Sequence, residues 1–193
     1  VDKPEPLFQT AIEIEERVLA DGTVELVPDN ATVTQQLKEL KSQGIESLAI
    51  CFMFGFHYPA HEQLVAEIAR RVGFRSIRCS SEVAPVIKIV ARGETTVLEA
   101  YLDPVIANYV DEISARLSTS GSVSPLRLMT SSGGLVSKGR FSGKDSVLSG
   151  PAGGVVGASR VGQQLGFDQV IGFDMGGTSA DVCRFDGQHT RSY

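Results

Sequence analysis

The chain has 193 residues, 42% hydrophobic and 21% charged, with a formal net charge of -5 at pH 7. That length buries one sizeable core or two small ones, and no apolar run approaches the ~20 residues a membrane helix needs. The acidic balance, with no block of lysine or arginine, argues against a nucleic-acid surface, although backbone N–H groups can still hold a small anion. Cys51, Cys79 and Cys183 are odd in number, widely spaced and mostly set among apolar residues, so they read as reduced core thiols of a cytosolic protein. The start, "VDKPEPLF", has neither an initiator methionine nor a basic region followed by an apolar one, and reads as a cut end.

Residues 10–27 alternate around Asp21-Gly22, the pattern of a hairpin, which Pro28 and Asp29 close. Over 32–43, Val33, Leu37 and Leu40 share one helical face, and Gly44 ends the helix. A buried strand over 46–54, a helix from Pro59 to Gly73 and a strand over 74–79 follow. Helix between strands predicts a mostly parallel α/β sheet. Residues 80–93 read as a loop ending at Arg92-Gly93, where a domain boundary is expected, giving domains of 1–90 and 91–193. A long helical region follows over 94–118, with Pro104 a break or kink. "PLRLMT" reads as a strand, 131–157 as a glycine- and serine-rich stretch with many turns, "VVGASRVGQQLG" as a helix and "QVIGFD" as a strand.

The segment "DMGGTSAD" carries the most chemistry. Asp174 ends a strand; Gly176 and Gly177 remove the Cβ atoms that would keep a ligand from the backbone, and Thr178 and Ser179 add hydroxyls. Successive N–H groups in such a turn converge on phosphate oxygens. Asp174 suits a Mg²⁺-bound or attacking water, and Asp181 either shares that work or braces the turn. No lysine lies here, so the turn is not a Walker A loop. The plain alternative is a tight hairpin whose glycines supply positive φ and whose aspartates cap the turn. "SGPAGG" at 149–154 precedes the predicted helix, so its N–H groups, Gly153 and Gly154 included, either face an anion or belong to an ordinary cap set by Ser149 and Pro151. "TSSGG", with Ser131 and Gly133, is a similar turn at a strand end. His57 and His61 are four apart, but Pro59 between them makes a shared helical face unsuited to a metal pair, and no further zinc ligands are found. His61 suits the first helical turn beside Glu62, and His189 is a lone tail residue. Arg92 and Glu94, beside Thr95 and Thr96, read either as partners of a substrate carboxylate or as solvated loop charges.

"LSGPAGGVVGA", a helix and then "IGFDMGGTSADV" together resemble the hydantoinase/oxoprolinase family, the hydantoinase A type of subunit, whose relatives include 5-oxoprolinases and acetone carboxylase subunits. "KPEPLF", "EERVLADGTV", "YPAHEQ", "TTVLEAYLDPV" and "MTSSGG" extend the similarity over nearly the whole chain. The resemblance implies an α/β fold of the actin-like, ribonuclease-H-like ATPase kind, with mixed sheets flanked by helices and Mg-ATP clasped between paired phosphate loops. Asp174, Gly176, Gly177, Thr178 and Asp181 match the second loop. The first loop and the adenosine site would lie outside residues 1–193, so the chain looks like an internal fragment, inactive by itself.

The implied activity of the intact parent is ATP-dependent opening of cyclic amides of the hydantoin, N-methylhydantoin or 5-oxoproline type, through phosphorylation of the amide oxygen, with a hydantoinase B type partner. Two alternatives remain: ATP-dependent carboxylation of a small ketone, and a non-catalytic nucleotide-binding or assembly module. The pattern departs from the family at Ala180, where a threonine is usual, and at Tyr58, Glu99 and Ser132, where asparagine is frequent. The loop before Arg92 also lacks the usual tyrosine and glutamate.

Overall fold

Residues 5–119 and 125–188 are described in this computed structural model, and the chain divides into two units between Asn108 and Tyr109. Its class is α/β, with small parallel and antiparallel sheets flanked by helices.

The first unit opens with the antiparallel strands β1 (Arg17–Val18) and β2 (Val24–Leu26). Their turn forms where the Asp21-Gly22 pair predicts it: the Gly22 N–H donates to the Leu19 carbonyl at 3.0 Å, and the Asp21 carboxylate accepts from the Thr23 N–H at 2.9 Å. That backbone bond, joined by the Thr23 hydroxyl, holds the Asp21 carboxyl below its usual range. The register shifts between Arg17 and Val18, so the ladder is shorter than the alternation over 10–27 predicts.

Helix α1 (Asn30–Ser42) starts two residues earlier than its apolar spacing suggests, because the Asp29 carboxylate accepts the Thr32 N–H and hydroxyl, both at 2.7 Å. Strand β3 (Ser47–Ile50), helix α2 (Ala60–Val72) and strand β4 (Ser76–Cys79) form the expected β-α-β unit, parallel from Ser47↔Ser76 to Ile50↔Cys79. Val33, Leu37 and Leu40 of α1, Val65, Ala66, Ile68 and Ala69 of α2, and Ile50, Phe74 and Cys79 make one core. Strand β3 stops short of the predicted 46–54 because the Phe52 N–H is taken by the Glu62 carboxylate at 3.0 Å instead of a ladder partner.

The loop expected over 80–93 is instead largely helical. Helix α3 (Ser80–Val83) follows β4 directly, and α4 (Ile89–Thr119) already contains Arg92. Pro104 lies inside α4 without ending it; the Ser47 hydroxyl donates to the Ala100 carbonyl at 2.5 Å.

In the second unit, β5 (Arg127–Met129) and β6 (Leu135–Ser137) form an antiparallel pair, followed by a 3-10 turn at Lys138–Arg140 and the short helix α5 (Gly143–Ser146). Helix α6 (Ser149–Gln164) leads into the antiparallel pair β7 (Val170–Met175) and β8 (Ala180–Phe185). Two glycines let α6 lie close on that hairpin. A Cβ at Gly162 would fall 2.2 Å from Val170 Cγ2, and one at Gly172 would fall 2.6 Å from Cys183 Sγ and 3.0 Å from Ala158 Cβ. The opposite face of the hairpin is apolar and open, with Ile171 74%, Phe173 65%, Met175 74% and Val182 66% exposed. Among the described residues no helix is long and apolar enough to cross a membrane.

Candidate functional site

Alternation along β7 and β8 decides which side chains meet α6. Gly172 and Asp174 of β7 lie opposite Cys183 and Asp181 of β8, so the register places Asp174 directly across from Asp181 on the α6 side. Like charges directly opposite on a two-stranded ladder are destabilising. The turn between them closes when the Gly176 N–H donates to the Ser179 carbonyl at 2.9 Å. That N–H is therefore not a free donor, whereas the Gly177 and Thr178 N–H groups have no acceptor among the described residues.

The turn is a hairpin, but its glycines do not serve the purpose a hairpin alone would give them. Neither Gly176 nor Gly177 has a positive φ. A Cβ at Gly177 would meet nothing within 4 Å, and one at Gly176 would make an ordinary 3.7 Å contact with the Ser179 carbonyl oxygen. Neither backbone conformation nor internal packing calls for glycine at either position.

Helix α6 starts at Ser149, within "SGPAGG", not after it. Its N-cap is Leu148, at φ +59°, with no side-chain cap bond, so Ser149 does not cap the helix as expected. The first turn of a helix leaves its N–H groups without intrahelical partners; here those of Ser149 and Gly150 have no acceptor among the described residues, Pro151 has no N–H, and Ala152 already bonds the Leu148 carbonyl at 3.1 Å. Gly153 and Gly154 lie one step further in, where N–H groups are spent within the helix. The expectation that their N–H groups face an anion is thus corrected, and what they offer is clearance. A Cβ at Gly154 would lie 3.8 Å from Asp174 Oδ2, and one at Gly153 would lie 3.6 Å from Met129 Cγ.

Pro151, Gly154, Val155 and Ala158 of α6 thus face Gly172, Asp174, Asp181 and Cys183 across a groove of about 300 Å³. One end of this groove combines two carboxylates with an uncapped helix N-terminus and a bare hairpin tip. Partial positive charge at the helix terminus and open backbone donors suit an anion, and the carboxylates suit the cation that would accompany it.

Other predicted residues lie elsewhere. Ser131 and Gly133 form the tip of the β5–β6 turn: the Ser131 N–H donates to Asp145 O at 2.8 Å, and Gly133 takes φ +80° beside Val156. Neither lines the groove. His57 is exposed and packs edge-on to Tyr58, while His61 is buried with Nδ1 2.7 Å from Glu16 Oε2, so the two histidines do not converge. His189 lies outside the described residues. Among the described residues no group of three or more His, Cys, Asp or Glu side chains gathers to hold a metal.

Arg92 overturns both of its expected roles, since it is 0% exposed. Its Nε donates to Ser80 Oγ at 2.9 Å, Nη1 to Val86 O at 2.7 Å, and Nη2 to Phe52 O and Met53 O at 2.5 and 3.0 Å. Ser80 in turn donates to Glu62 Oε1 at 2.6 Å, and Glu62, also 0% exposed, accepts the Phe52 and Ser81 N–H groups. This buried Glu62–Ser80–Arg92 relay was missed in sequence, although one signal was present: Glu62 shares the helical face of Val65, Ala66 and Ala69. A Cβ at Gly55 would fall 2.2 Å from Glu62 Oε1, so that glycine makes room for the carboxylate.

The comparisons with known proteins agree with this architecture. The description "Hydantoinase/oxoprolinase" matches residues 92–193, and "Hydantoinase/oxoprolinase N-terminal region" matches residues 1–73. The chain is 41% identical to the 5-oxoprolinase of Saccharomyces cerevisiae over 97% of its own length and 17% of that protein's. It is 33% identical to caprolactamase subunit alpha of Pseudomonas jessenii, over 90% of this chain and 25% of that one. Among solved structures, nucleotide-free acetone carboxylase superposes with a TM-score of 0.81 at 27% identity, over 92% of this chain and 26% of that one. The ATP-dependent caprolactamase of Pseudomonas jessenii superposes with a TM-score of 0.78 at 32% identity, over 89% and 25%. The chain therefore spans about a quarter or less of each of these proteins. With both family descriptions matched in chain order, the chain belongs to the hydantoinase/oxoprolinase family.

Proposed function

We propose that the groove between α6 and the β7–β8 tip is one half of an ATP-phosphate clamp, in a segment of a longer ATP-dependent enzyme that opens cyclic amides. The observation that carries this reading is the convergence of Asp174, Asp181 and the uncapped α6 terminus on one groove, beside a hairpin tip whose Gly176 and Gly177 no internal requirement explains. The Gly177 and Thr178 N–H groups, with the Thr178 and Ser179 hydroxyls nearby, are the donors for phosphate oxygens. In this reading the fold is part of an actin-like, ribonuclease-H-like ATPase, its two domains being residues 1–90 and 91–193.

The donor set fits Mg²⁺: two carboxylates face each other across the ladder, with no cation among the described residues paired to either. Asp174 and Asp181 would hold the ion, directly or through its water, and bound Mg²⁺ would neutralise charge on the phosphates. The chain's own contribution is positioning. In this reading ATP would phosphorylate the amide oxygen and so activate the ring carbon toward opening by water. Donors fixed in advance near the phosphates stabilise charge during transfer.

The subunit name of the Pseudomonas jessenii relative supports a partner subunit, here of the hydantoinase B type, and a homo-oligomer and a cytoplasmic location belong to the same proposal. The superposition on acetone carboxylase supports a second reading, ATP-dependent carboxylation of a small ketone on the same fold. A purely structural or assembly role is the third. The deciding experiment uses the full-length polypeptide with its partner, assayed for ATP hydrolysis with 5-oxoproline, hydantoins, or acetone plus bicarbonate. Asp174→Asn is expected to lower turnover about a hundredfold or more while leaving the fold intact. Stimulation by acetone plus bicarbonate alone would favour the carboxylase, and unchanged ATP turnover in the variant would leave only the structural role.

A further inference from the structure

Among the described residues, β3 has a ladder partner on one side only, since its sheet consists of β3 and β4. The Ser76 N–H donates to the Glu46 carbonyl at 3.3 Å. Alternation along a parallel ladder then turns the backbone groups of Leu48 and Ile50 toward β4 and those of Ser47 and Ala49 away from it. The Ala49 N–H has no acceptor, and its carbonyl no donor, among the described residues.

This unused edge is not built like an edge. Native edge strands are guarded by charge, proline or a bulge, and "SLAICF" over 47–52 has neither charge nor proline, while β3 keeps an unbroken register with β4. Both of its faces are covered. Leu48 and Ile50 pack with Leu37 and Leu40 of α1 and Val65 of α2, whereas the Ser47 hydroxyl, on the other face, donates to the Ala100 carbonyl of α4 at 2.5 Å. Strands covered by helices on both faces belong to the interior of an α/β sheet, yet Ala49 is exposed.

A cavity of about 520 Å³ accounts for that exposure. It is lined by every residue of 46–52 and, opposite them, by 7–12 and Ile14 of the segment that leads into β1, with Val97 and Tyr101 of α4 at its side. The alternation over 10–14 predicts strand, but no strand forms there, and Leu7, Phe8 and Ile12 stay exposed. Both banks of the slot therefore carry strand-forming sequence with nothing between them.

We propose that this slot holds one further β-strand, supplied by the longer polypeptide. It bonds the Ser47 and Ala49 backbone groups on one side and segment 7–14 on the other, and so joins β1–β2 and β3–β4 into a single sheet. The relatives have ample chain to supply it, since this chain spans about a quarter or less of each of those described above. The occupant is apolar on both faces, because alternating polar side chains would be pressed unpaired against α1 and α2 or against α4. The proposal rests on the chain being a segment of a longer polypeptide, and on nothing that the α6 groove binds.

Hydrogen exchange of the full-length polypeptide, resolved to single amides, reads the missing ladder. With the strand in place the Ala49 amide is expected to exchange within about tenfold of Leu48 and Ile50, which bond β4. Faster exchange at Ala49 would mean an open edge and overturn the proposal. Photo-crosslinking identifies the occupant. Benzoylphenylalanine at position 101, where Tyr101 is 57% exposed beside the slot, is expected to label an apolar run of the same polypeptide outside residues 1–193. Label confined to residues 1–193, carried to a second copy or another protein, or lost to solvent would overturn it.

Discussion

Glu62 and Arg92 in the first unit, and Asp174 and Asp181 in the second, are four charged groups with opposite fates. The first two are fully buried, and the Ser80 hydroxyl and surrounding backbone groups answer their donors and acceptors. The second two are exposed, face a like charge across a ladder, and border N–H donors that have no acceptor among the described residues. The glycines follow the same division. Gly55 is glycine because Glu62 occupies the space beside it, while Gly177 is glycine beside empty space. A polar group satisfied within the fold serves stability, whereas one exposed at the surface is hydrated and can exchange that water for a ligand.

The largest expected effect lies in the first unit. Arg92→Met leaves the Phe52, Met53 and Val86 carbonyls and the Ser80 hydroxyl without the donor that answers them, and each buried acceptor so orphaned costs about 1–3 kcal/mol. Urea unfolding should show this, and a loss below about 1 kcal/mol would mean that the relay is not a stabilising network. A glycine pair sharpens the contrast. Gly55→Ala forces a Cβ against the Glu62 carboxylate and is expected to cost about 1–3 kcal/mol. Gly177→Ala is expected to change stability by less than about 0.5 kcal/mol while weakening Mg-ATP binding by the full-length polypeptide. If calorimetry finds nucleotide affinity unaltered in the second variant, the bare tip has no ligand to admit.

A further effect concerns pH and again belongs to the first unit. Burial, followed by the nearby Glu82 and Glu62 charges, pushes the Cys79 thiol up from its ordinary 9.0 to about 12. Because the folded value is the raised one, the unfolded chain loses this proton first. The contribution is complete below about pH 9 and fades as pH rises toward 12. Stability should therefore fall by up to about 1.4 kcal/mol per pH unit in that window. Urea midpoints at pH 8 and 10 measure the slope, and Cys79→Ala should remove this share of it.

Much of this arrangement was legible in the sequence because it is local. The Asp21-Gly22 turn, the Val33, Leu37 and Leu40 face and the Asp174 to Asp181 segment each declare themselves within a dozen residues. Arg92 did not, since its partners at Phe52 and Ser80 lie 40 and 12 positions away, and its neighbours Gly93 and Glu94 look like a solvated loop. The early start of α6 was hidden for another reason: glycine and proline are poor helix formers, and packing against the hairpin through Gly162 and Gly172 overrides that preference. Strand β6 is three residues long inside a serine- and glycine-rich stretch, too short for alternation to register.

The β7–β8 ribbon is only one layer thick. Asp174 and Phe173 are adjacent in sequence and point to opposite faces, so whatever presses on Ile171, Phe173, Met175 and Val182 sets the plane from which the two carboxylates project. On the proposed reading, changes at Ile171 or Met175, which do not line the groove, are therefore expected to alter nucleotide turnover of the full-length polypeptide.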